Sequence, residues 1–420
     1  MSVTPAEVAS AIEQAHHQEW AYVLAATARV AADLDLAEDC VQDAYAKALV
    51  HWQAEGIPRR PGAWLTTVAT RRALEQRRRS AVLERKLPLL VPDSVDGDEA
   101  DPFDGDGTGV FPDDRLRLVF TCCHPALSQE SQVALTLKLV CGLSSAEIAK
   151  AFLVKEATLQ ARITRAKQKI AKTRIPYRVP RVGELPERID AVLDVVHLVY
   201  SVGSTAKFGD QLSRPDLARR GLDLARMVHL LLPDSAEASA LLGHLLLTQS
   251  RDAARVDDAG RLVLMQDQDR SLWDGELIAE GLELVQVALG QPPVGRFGLL
   301  AAIGAVHAEA RRWEETDWDQ ILGLYDLLLA RWPSPVVALN RAVAVSYADS
   351  PEAALEVVRE LAEDPALATY PYLAATHADL LRRTGQWQAA LTAYEEALTF
   401  TDNAVEAAYL NQRLDELRSR

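Results

Sequence analysis

Residues 144 to 172, SSAEIAKAFLVKEATLQARITRAKQKIAK, carry two interleaved stripes at helical spacing. Leu159, Ile163, Ala166 and Ile170 recur at i, i+4, i+7 and i+11, and Thr158, Arg162, Arg165 and Lys169 follow the same rhythm from one position earlier. One face of such a helix packs, and the other is placed to enter a major groove. Ahead of it, Ser144 and Glu147 have the spacing of a capping box. Ile148, Ala149 and Phe152 give a first helix its apolar face, and a short turn at Leu153 and Val154 joins the two. The plain alternative is an amphipathic hairpin with a solvated basic face. Local charge favours the helix-turn-helix: residues 115 to 181 hold thirteen Lys or Arg against three Asp or Glu, inside a chain whose formal net charge is −15. Phosphate contact requires such a basic footprint.

The remaining charge is segregated along the chain. Residues 1 to 91 hold eleven charges of each sign, 92 to 114 hold nine acids and no base, and 182 to 420 hold 37 acids against 21 bases. At 420 residues the chain is long for one core, given about 150 residues per domain. Strand signals are nearly absent, and long Ala-, Leu-, Glu- and Arg-rich stretches broken at Pro and Gly predict an all-α protein. Residues 92 to 114, PDSVDGDEADPFDGDGTGVFPDD, lack apolar periodicity and are expected to form a flexible acidic linker. Three prolines between Ile175 and Pro186 mark a second boundary. The expected domains are therefore 10–91, 115–175 and 182–420, the first two joined by the linker at 92–114.

Cys40, Cys122, Cys123 and Cys141 show no CxxC spacing and no secreted disulfide framework. Reduced, buried thiols are expected, with no metal at Cys122-Cys123-His124 because neighbouring helical side chains diverge by about 100°. The first twenty residues, MSVTPAEVASAIEQAHHQEW, lack a basic n-region and an apolar h-region. No apolar run approaches the roughly 20 residues a membrane span needs, so a cytoplasmic location is expected, with no membrane partner.

Toward the end, from about residue 302, a weak repeat of about 34 residues emerges, the period of TPR-like helical hairpins. Trp318, Tyr325 and Leu328 align with Trp387, Tyr394 and Ala397 at one offset of about two periods, and His307-Ala308 aligns with His377-Ala378 one residue out of step. An intervening copy places Ala342, Leu355 and Val358 against Ala378, Leu391 and Tyr394 without the leading aromatic. Simple bundle packing remains an alternative.

Near the start, DLAEDCVQDAYAKAL (35 to 49) opens with the capping spacing of Asp35 and Glu38. It then runs apolar at Ala37, Cys40, Val41, Ala44, Tyr45, Ala48 and Leu49, with Asp39, Gln42 and Asp43 on the opposite face. An acidic face repels phosphate and suits a basic protein partner; a solvated face is the plain alternative. Downstream, RRPGAWLTTVATRRALEQRRR (59 to 79) carries Arg59, Arg60, Trp64, Arg71, Arg72 and the run Arg77, Arg78, Arg79. Arginines beside an aromatic suit single-stranded or melting DNA. Core packing is the more natural role for Trp64, and the arginines are the safer DNA contacts.

In that order, DLAEDCVQDAYAKAL, PGAWLTTVATRRALEQRRR and GLSSAEIAKAFLVKEATLQARITRAKQKI resemble the region-2 and region-4 domains of the sigma-70 family, specifically its extracytoplasmic-function (ECF) sigma factors, over about residues 10 to 175. TCCHPALSQESQVALTLKLVCGLSSAEIAKAFLV and IPYRVPRVGELPERIDAVL look like the subgroup with a long C-terminal TPR-like extension. The resemblance implies an all-α chain with two sigma-type helical domains, the second a helix-turn-helix, plus that extension. It implies an RNA polymerase sigma subunit, not an enzyme, that binds core polymerase and promoter DNA and needs no cofactor. Asp39, Gln42 and Asp43 match the surface that docks on the clamp helices of the β′ subunit, with the β subunit a further contact. Arg59, Arg60, Trp64, Arg71, Arg72, Arg77 and Arg78 fall where the family opens and reads the minus-ten element. The helix from Lys155, with Glu156, Thr158, Arg162, Arg165 and Lys169, matches the reader of the minus-thirty-five element. Arg71 stands where many members carry Asn, and VHLVYSVGSTA (196 to 206) stands where an aromatic and Asn-containing stretch is usual.

The extension is expected to regulate or stabilise, through a regulatory protein partner or by shielding the basic helix-turn-helix with its own acidic surface. Two other readings compete. A stand-alone helix-turn-helix regulator would carry the C-terminal repeats as a sensor or interaction domain. An enzyme in the C-terminal half would have to use His197, His229, His244, His307 or His377, which stand in no HExxH, P-loop, GxSxG or GxGxxG context; structural histidines explain them better.

Overall fold

The computed structural model describes residues 4–86 and 114–419 apart from 153, 182 and 207. The expected linker lies outside the described residues except Asp114, and so does Leu153 of the expected turn. Two compact units divide the chain, residues 1–198 and 199–420.

Unit 1 is built from α1 (Pro5–Ala31), α2 (Leu34–Glu55), α3 (Pro61–Lys86), α4 (Asp114–Cys122), α5 (Gln129–Leu135), α6 (Ser145–Phe152) and α7 (Glu156–Lys172). It also holds most of α8 (Leu185–Ser204), which runs across the division. α1 starts at a complete capping box, in which the Thr4 side chain accepts from the Glu7 amide and Glu7 accepts from the Thr4 amide at 2.7 Å. α1, α2 and α3 pack on one another around Trp52, Leu24 and Leu65, all fully buried. α2 departs from the expected start: Asp33 is the N-cap, its carboxylate accepting from the Leu36 amide at 2.7 Å, so Asp35 and Glu38 do not form the capping box. They are turned to other partners, described below. The second expected box holds, with the Ser144 amide donating to Glu147 at 2.7 Å and the Glu147 amide to Ser144 Oγ at 3.2 Å.

Between α5 and α6 the helix widens into a π segment, Thr136–Val140, closed by Cys141 N–H donating to the Thr136 carbonyl at 3.0 Å. The wider turn re-aims Lys138 and Leu139 relative to an α-helical path. Beyond α7, Tyr177 is buried and its hydroxyl donates to the Ala25 carbonyl of α1 at 2.9 Å.

Unit 2 begins with the end of α8 and continues through α9 (Pro215–Leu231), α10 (Ala236–Gln249), α11 (Gly275–Leu289), α12 (Arg296–Glu309), α13 (Trp318–Arg331), α14 (Pro335–Ala348), α15 (Pro351–Leu361), α16 (Pro371–Arg383), α17 (Trp387–Thr399) and α18 (Ala404–Arg418). From α12 on, each helix packs on the next. The aligned tryptophans Trp318 and Trp387 both open helices, α13 and α17, and the aligned Leu328, Tyr394 and Ala397 are all buried. The copy between them is α15, whose Leu355 and Val358 are buried although no aromatic opens it. Successive helices from α12 on thus cover the apolar faces that their neighbours leave open.

A short parallel pairing joins the two ends of this unit, β1 (Phe208–Gly209) against β2 (Asp402–Asn403). The fully buried Asn403 secures it by donating to the carbonyls of Ala206 at 2.9 Å and Gln211 at 2.8 Å. Where α8 meets α9 the backbones nearly touch: a Cβ on Gly221 would stand 2.6 Å from Tyr200 Cα, and one on Gly203 would stand 2.2 Å from the Ala218 nitrogen. Gly221→Ala is expected to force these helices apart and cost about 1–3 kcal/mol in urea unfolding. Gly323→Ala, in α13 with nothing within 4 Å of its added Cβ, should be neutral or stabilise by about 0.5–1 kcal/mol. Equal midpoints for the two variants would refute the close approach.

Candidate nucleic-acid interface

α7 carries its apolar stripe inward, with Leu159, Ile163, Ala166 and Ile170 buried. Lys155, Glu156, Thr158, Arg165 and Lys169 are exposed, and Arg162 is half-buried. Arg162 is held by Glu130 of α5 at 2.9 Å, and Lys169 Nζ donates to the Ala126 carbonyl. A cavity of about 230 Å³ lies under this face, lined by Val133, Ile148, Phe152 and Leu159, with Glu130 and Arg162 beside them.

On the α3 side, Arg59, Arg60, Arg71, Arg77 and Arg78 are exposed, and Arg77 donates to the Val30 carbonyl at 3.0 Å. Trp64 is half-buried, stacked on His51 at 5.3 Å and edge-on to the buried Trp52 at 5.6 Å. Asp39, Gln42 and Asp43 are exposed on α2. Arg72 and Asp43, which the sequence assigns to different surfaces, meet at 3.4 Å. An ion pair this exposed is worth little and exchanges cheaply for other partners.

A second set of charges escaped the sequence reading. Glu38 and Lys167 are both buried, and Lys167 Nζ, on the helix that carries the basic stripe, reaches Glu38 Oε2 at 2.8 Å and Asp35 Oδ1 at 2.6 Å. Lys138 of the π segment reaches the other Glu38 oxygen at 3.1 Å. Burial alone would lower the Lys167 pKa, but the charge of Glu38 and the hydrogen bonds to Asp35 and Glu38 outweigh it and raise the pKa. The stabilisation is therefore complete throughout the neutral range and lost only as pH rises through that raised value. The same seam holds Trp20 Nε1 donating to the Leu139 carbonyl at 3.0 Å and Arg29 paired with Asp114 at 3.0 Å. No sequence signal marked Glu38 and Lys167 as partners, because they stand 129 residues apart and each occupies an ordinary helical position.

Cys122 and Cys123 are buried and their thiols are pushed up by burial, Cys123 to about 12, so neither is a ready nucleophile. His124 accepts from the Ala126 amide at 3.1 Å, and burial followed by the Arg188 charge pulls its pKa down to about 4. Among the described residues no group of three or more His, Cys, Asp or Glu side chains is arranged to hold a metal, and no helix is long and apolar enough to cross a membrane.

Comparison with known proteins agrees with this layout. Sigma-70 region 2 matches residues 16–82 and sigma-70 region 4 matches residues 117–170. A family of unknown function, DUF6596, matches residues 188–289. A protein of Rhizobium meliloti (strain 1021), named only as uncharacterized, is 41% identical over 389 residues, covering 92% of this chain and 90% of its own. The chain belongs to the sigma-70 family of sigma factors, DNA-binding subunits of transcription initiation, and carries a helical C-terminal extension behind regions 2 and 4.

Proposed function

We propose that this sigma factor is of the extracytoplasmic-function type, acting in the cytoplasm to bring core polymerase to a particular set of promoters, with an extension that regulates or stabilises it. The observation that carries the reading is the spacing of the two matches: only residues 83–116 separate region 2 from region 4, too few for a further domain of about 50 residues or more. In this reading the region-2 domain spans 10–91, the region-4 domain 115–175 and the extension 182–420. Asp39, Gln42 and Asp43 meet the β′ clamp helices, and the β subunit is a second contact. The arginines of α3 and the turn before it, with Trp64, meet the minus-ten element. Lys155, Glu156, Thr158, Arg162, Arg165 and Lys169 meet the minus-thirty-five element. Runoff transcription with purified core polymerase tests the reading: promoter-dependent transcripts are expected. Operator binding without polymerase, and no transcript, would mark a stand-alone regulator instead.

The Lys167–Glu38 contact at 2.8 Å supports a closed resting state. The two promoter elements are centred about 25 base pairs apart, roughly 85 Å at the rise of B-form DNA, whereas regions 2 and 4 here touch. Both cannot be read until the seam opens. Lys167→Met leaves Glu38 with Lys138 and should weaken the seam by about 2 kcal/mol, less than the loss of a sole buried partner. Distance labels on α2 and α7 should then move apart, and holoenzyme should form at lower sigma concentration. Unchanged label distances would refute a seam held by this pair.

Polymerase docking is expected to work by charge. An Asp39→Arg plus Asp43→Arg variant should keep its helicity by circular dichroism yet fail to join core polymerase in a pull-down. Wild-type capture by the folded variant would remove the acidic face from the interface.

On α7, Arg162→Ala is expected to weaken minus-thirty-five recognition by about 1–3 kcal/mol and to relax the preference at one position. Lys169→Ala should weaken binding to all sequences and lower the salt slope by about one. Normal promoter binding by both variants in holoenzyme would show that another face does the reading.

A further inference from the structure

Between α10 and α11 the chain leaves the helical stack as the segment Ser250–Asp274, its ends tied by the Asp274 amide donating to the Ser250 carbonyl at 2.9 Å. Segments of this length without long helices or strands are uncommon in compact domains and usually functional. This one is held at several points. The Asp257 carboxylate folds the tip by accepting from the amides of Ala259 and Arg261, both at 2.9 Å. Tyr347 of α14 donates to Gln266 at 3.0 Å. Arg270 donates to the His307 carbonyl at 2.8 Å and to the Ala310 carbonyl just past α12, and Arg255 donates to the Ser204 carbonyl.

Arg261 pairs with Asp257 at 2.7 Å, but the more enclosed Arg251 lacks the partner that such a group ordinarily demands. The guanidinium carbons of Arg251 and Arg270 lie 5.8 and 4.7 Å from the centre of one ring, that of Trp273, which is itself buried. Arg255 follows Arg251 by four positions. Arg251 donates to the thioether sulfur of Met265 at 3.2 Å, a weak acceptor. Arg270 is committed to backbone carbonyls and a long contact to Thr316 Oγ1 at 3.5 Å, and Arg255 has Asp252 at 3.6 Å. Burial, then the charge of Arg255, pull the Arg251 pKa down to about 10. Burial, then Arg251 and Arg270, pull His307 down to about 4. Among the described residues, Trp273 Nε1, Gln268 Oε1 and His307 Nδ1 of this neighbourhood are buried without a hydrogen-bond partner. Carboxylates already act on Arg270 (Glu314 and Glu315) and on Arg255 (Asp252 and Glu406), but the side-chain acceptor of the enclosed Arg251 is a thioether, which is costly unless a further anion offsets it.

We propose that unit 2 binds a small oxyanion, a carboxylate or phosphate group, on Arg251, Arg255 and Arg270, with the Trp273 N–H as a neutral donor. Guanidinium forks match both groups in bidentate geometry, and the shared indole keeps two of the forks in register. Because all three arginines belong to one segment that also touches α12 and α14, occupancy stiffens the packing of that segment on the stack. The site does not depend on how unit 1 engages DNA or polymerase.

The test uses the full chain in a zwitterionic, low-chloride buffer, titrated with inorganic phosphate in one arm and succinate in the other. Calorimetry, tryptophan fluorescence and thermal unfolding are followed. One of the two is expected to saturate at millimolar concentration or below, to raise the melting temperature, and to change a fluorescence signal that Trp273→Phe removes. Arg251→Met should weaken binding at least roughly tenfold and, without ligand, leave the melting temperature equal or higher, since an ill-paired guanidinium has been removed. Arg251→Lys keeps the charge but loses the fork, and should bind with intermediate affinity. Arg359→Met, on the exposed side of α15, should bind as wild type. The proposal is overturned by any of three results: no response to either anion, equal stabilisation by sodium chloride at matched ionic strength, or undiminished binding in Arg251→Met. If that variant does not fold, undiminished binding in Arg251→Lys overturns it.

Discussion

The buried Glu38 carboxylate organises unit 1. Taken out of water, it must be met by charge on every side. Lys138 at 3.1 Å and Lys167 at 2.8 Å do so from two different segments. The α2 helix, the π segment and α7 are thereby fixed to one point. The π segment follows from this demand: a regular helix continued from α5 would turn Lys138 to another bearing, and the extra residue per turn re-aims it. It also leaves the Leu139 carbonyl for Trp20 Nε1 at 3.0 Å. A hydrophobic seam of the same area would hold as well, but it would resist opening in water, whereas separated charges are rehydrated. An ionic seam suits the opening proposed above.

The same economy governs the exposed charges. Asp43 rests on Arg72 and Arg162 on Glu130, at 3.4 and 2.9 Å. Both pairs are shallow enough that their dissolution costs little. In the reading proposed above, acidic and basic side chains that serve different partners thus neutralise one another while those partners are away. The pairing lowers the net charge that each surface presents.

Much of this was legible in the sequence. The stripes of α7, the Ser144–Glu147 box and the tryptophans that open α13 and α17 follow from local periodicity and capping chemistry, which act over a few residues. Asp35 and Glu38 misled because Asp33, two residues upstream, makes an equally good N-cap, and local spacing cannot rank two acids when one is claimed by a distant lysine. Trp64 is half-buried against His51 and Trp52 of the preceding helix, so one side of its ring packs and the other stays accessible. Arg251 and Arg270 left no signature, because they meet on one indole and reach a thioether and backbone carbonyls, which no residue pattern announces.

The extension separates charge by depth as well as along the chain. Residues 182 to 420 carry 37 acids against 21 bases, yet Arg251 and Arg270 are turned inward onto Trp273. An acidic exterior repels anions at a distance of about a Debye length, so capture of an oxyanion has to come from contact geometry, not steering. That arrangement favours selectivity over speed: weakly matched anions gain too little at the forks to offset the outer field. The same field attracts basic surfaces, including one such as residues 115 to 181, and that attraction fades as salt rises. Capture by forks and attraction by the field therefore act over different ranges: contact geometry sets the first, and screening sets the second.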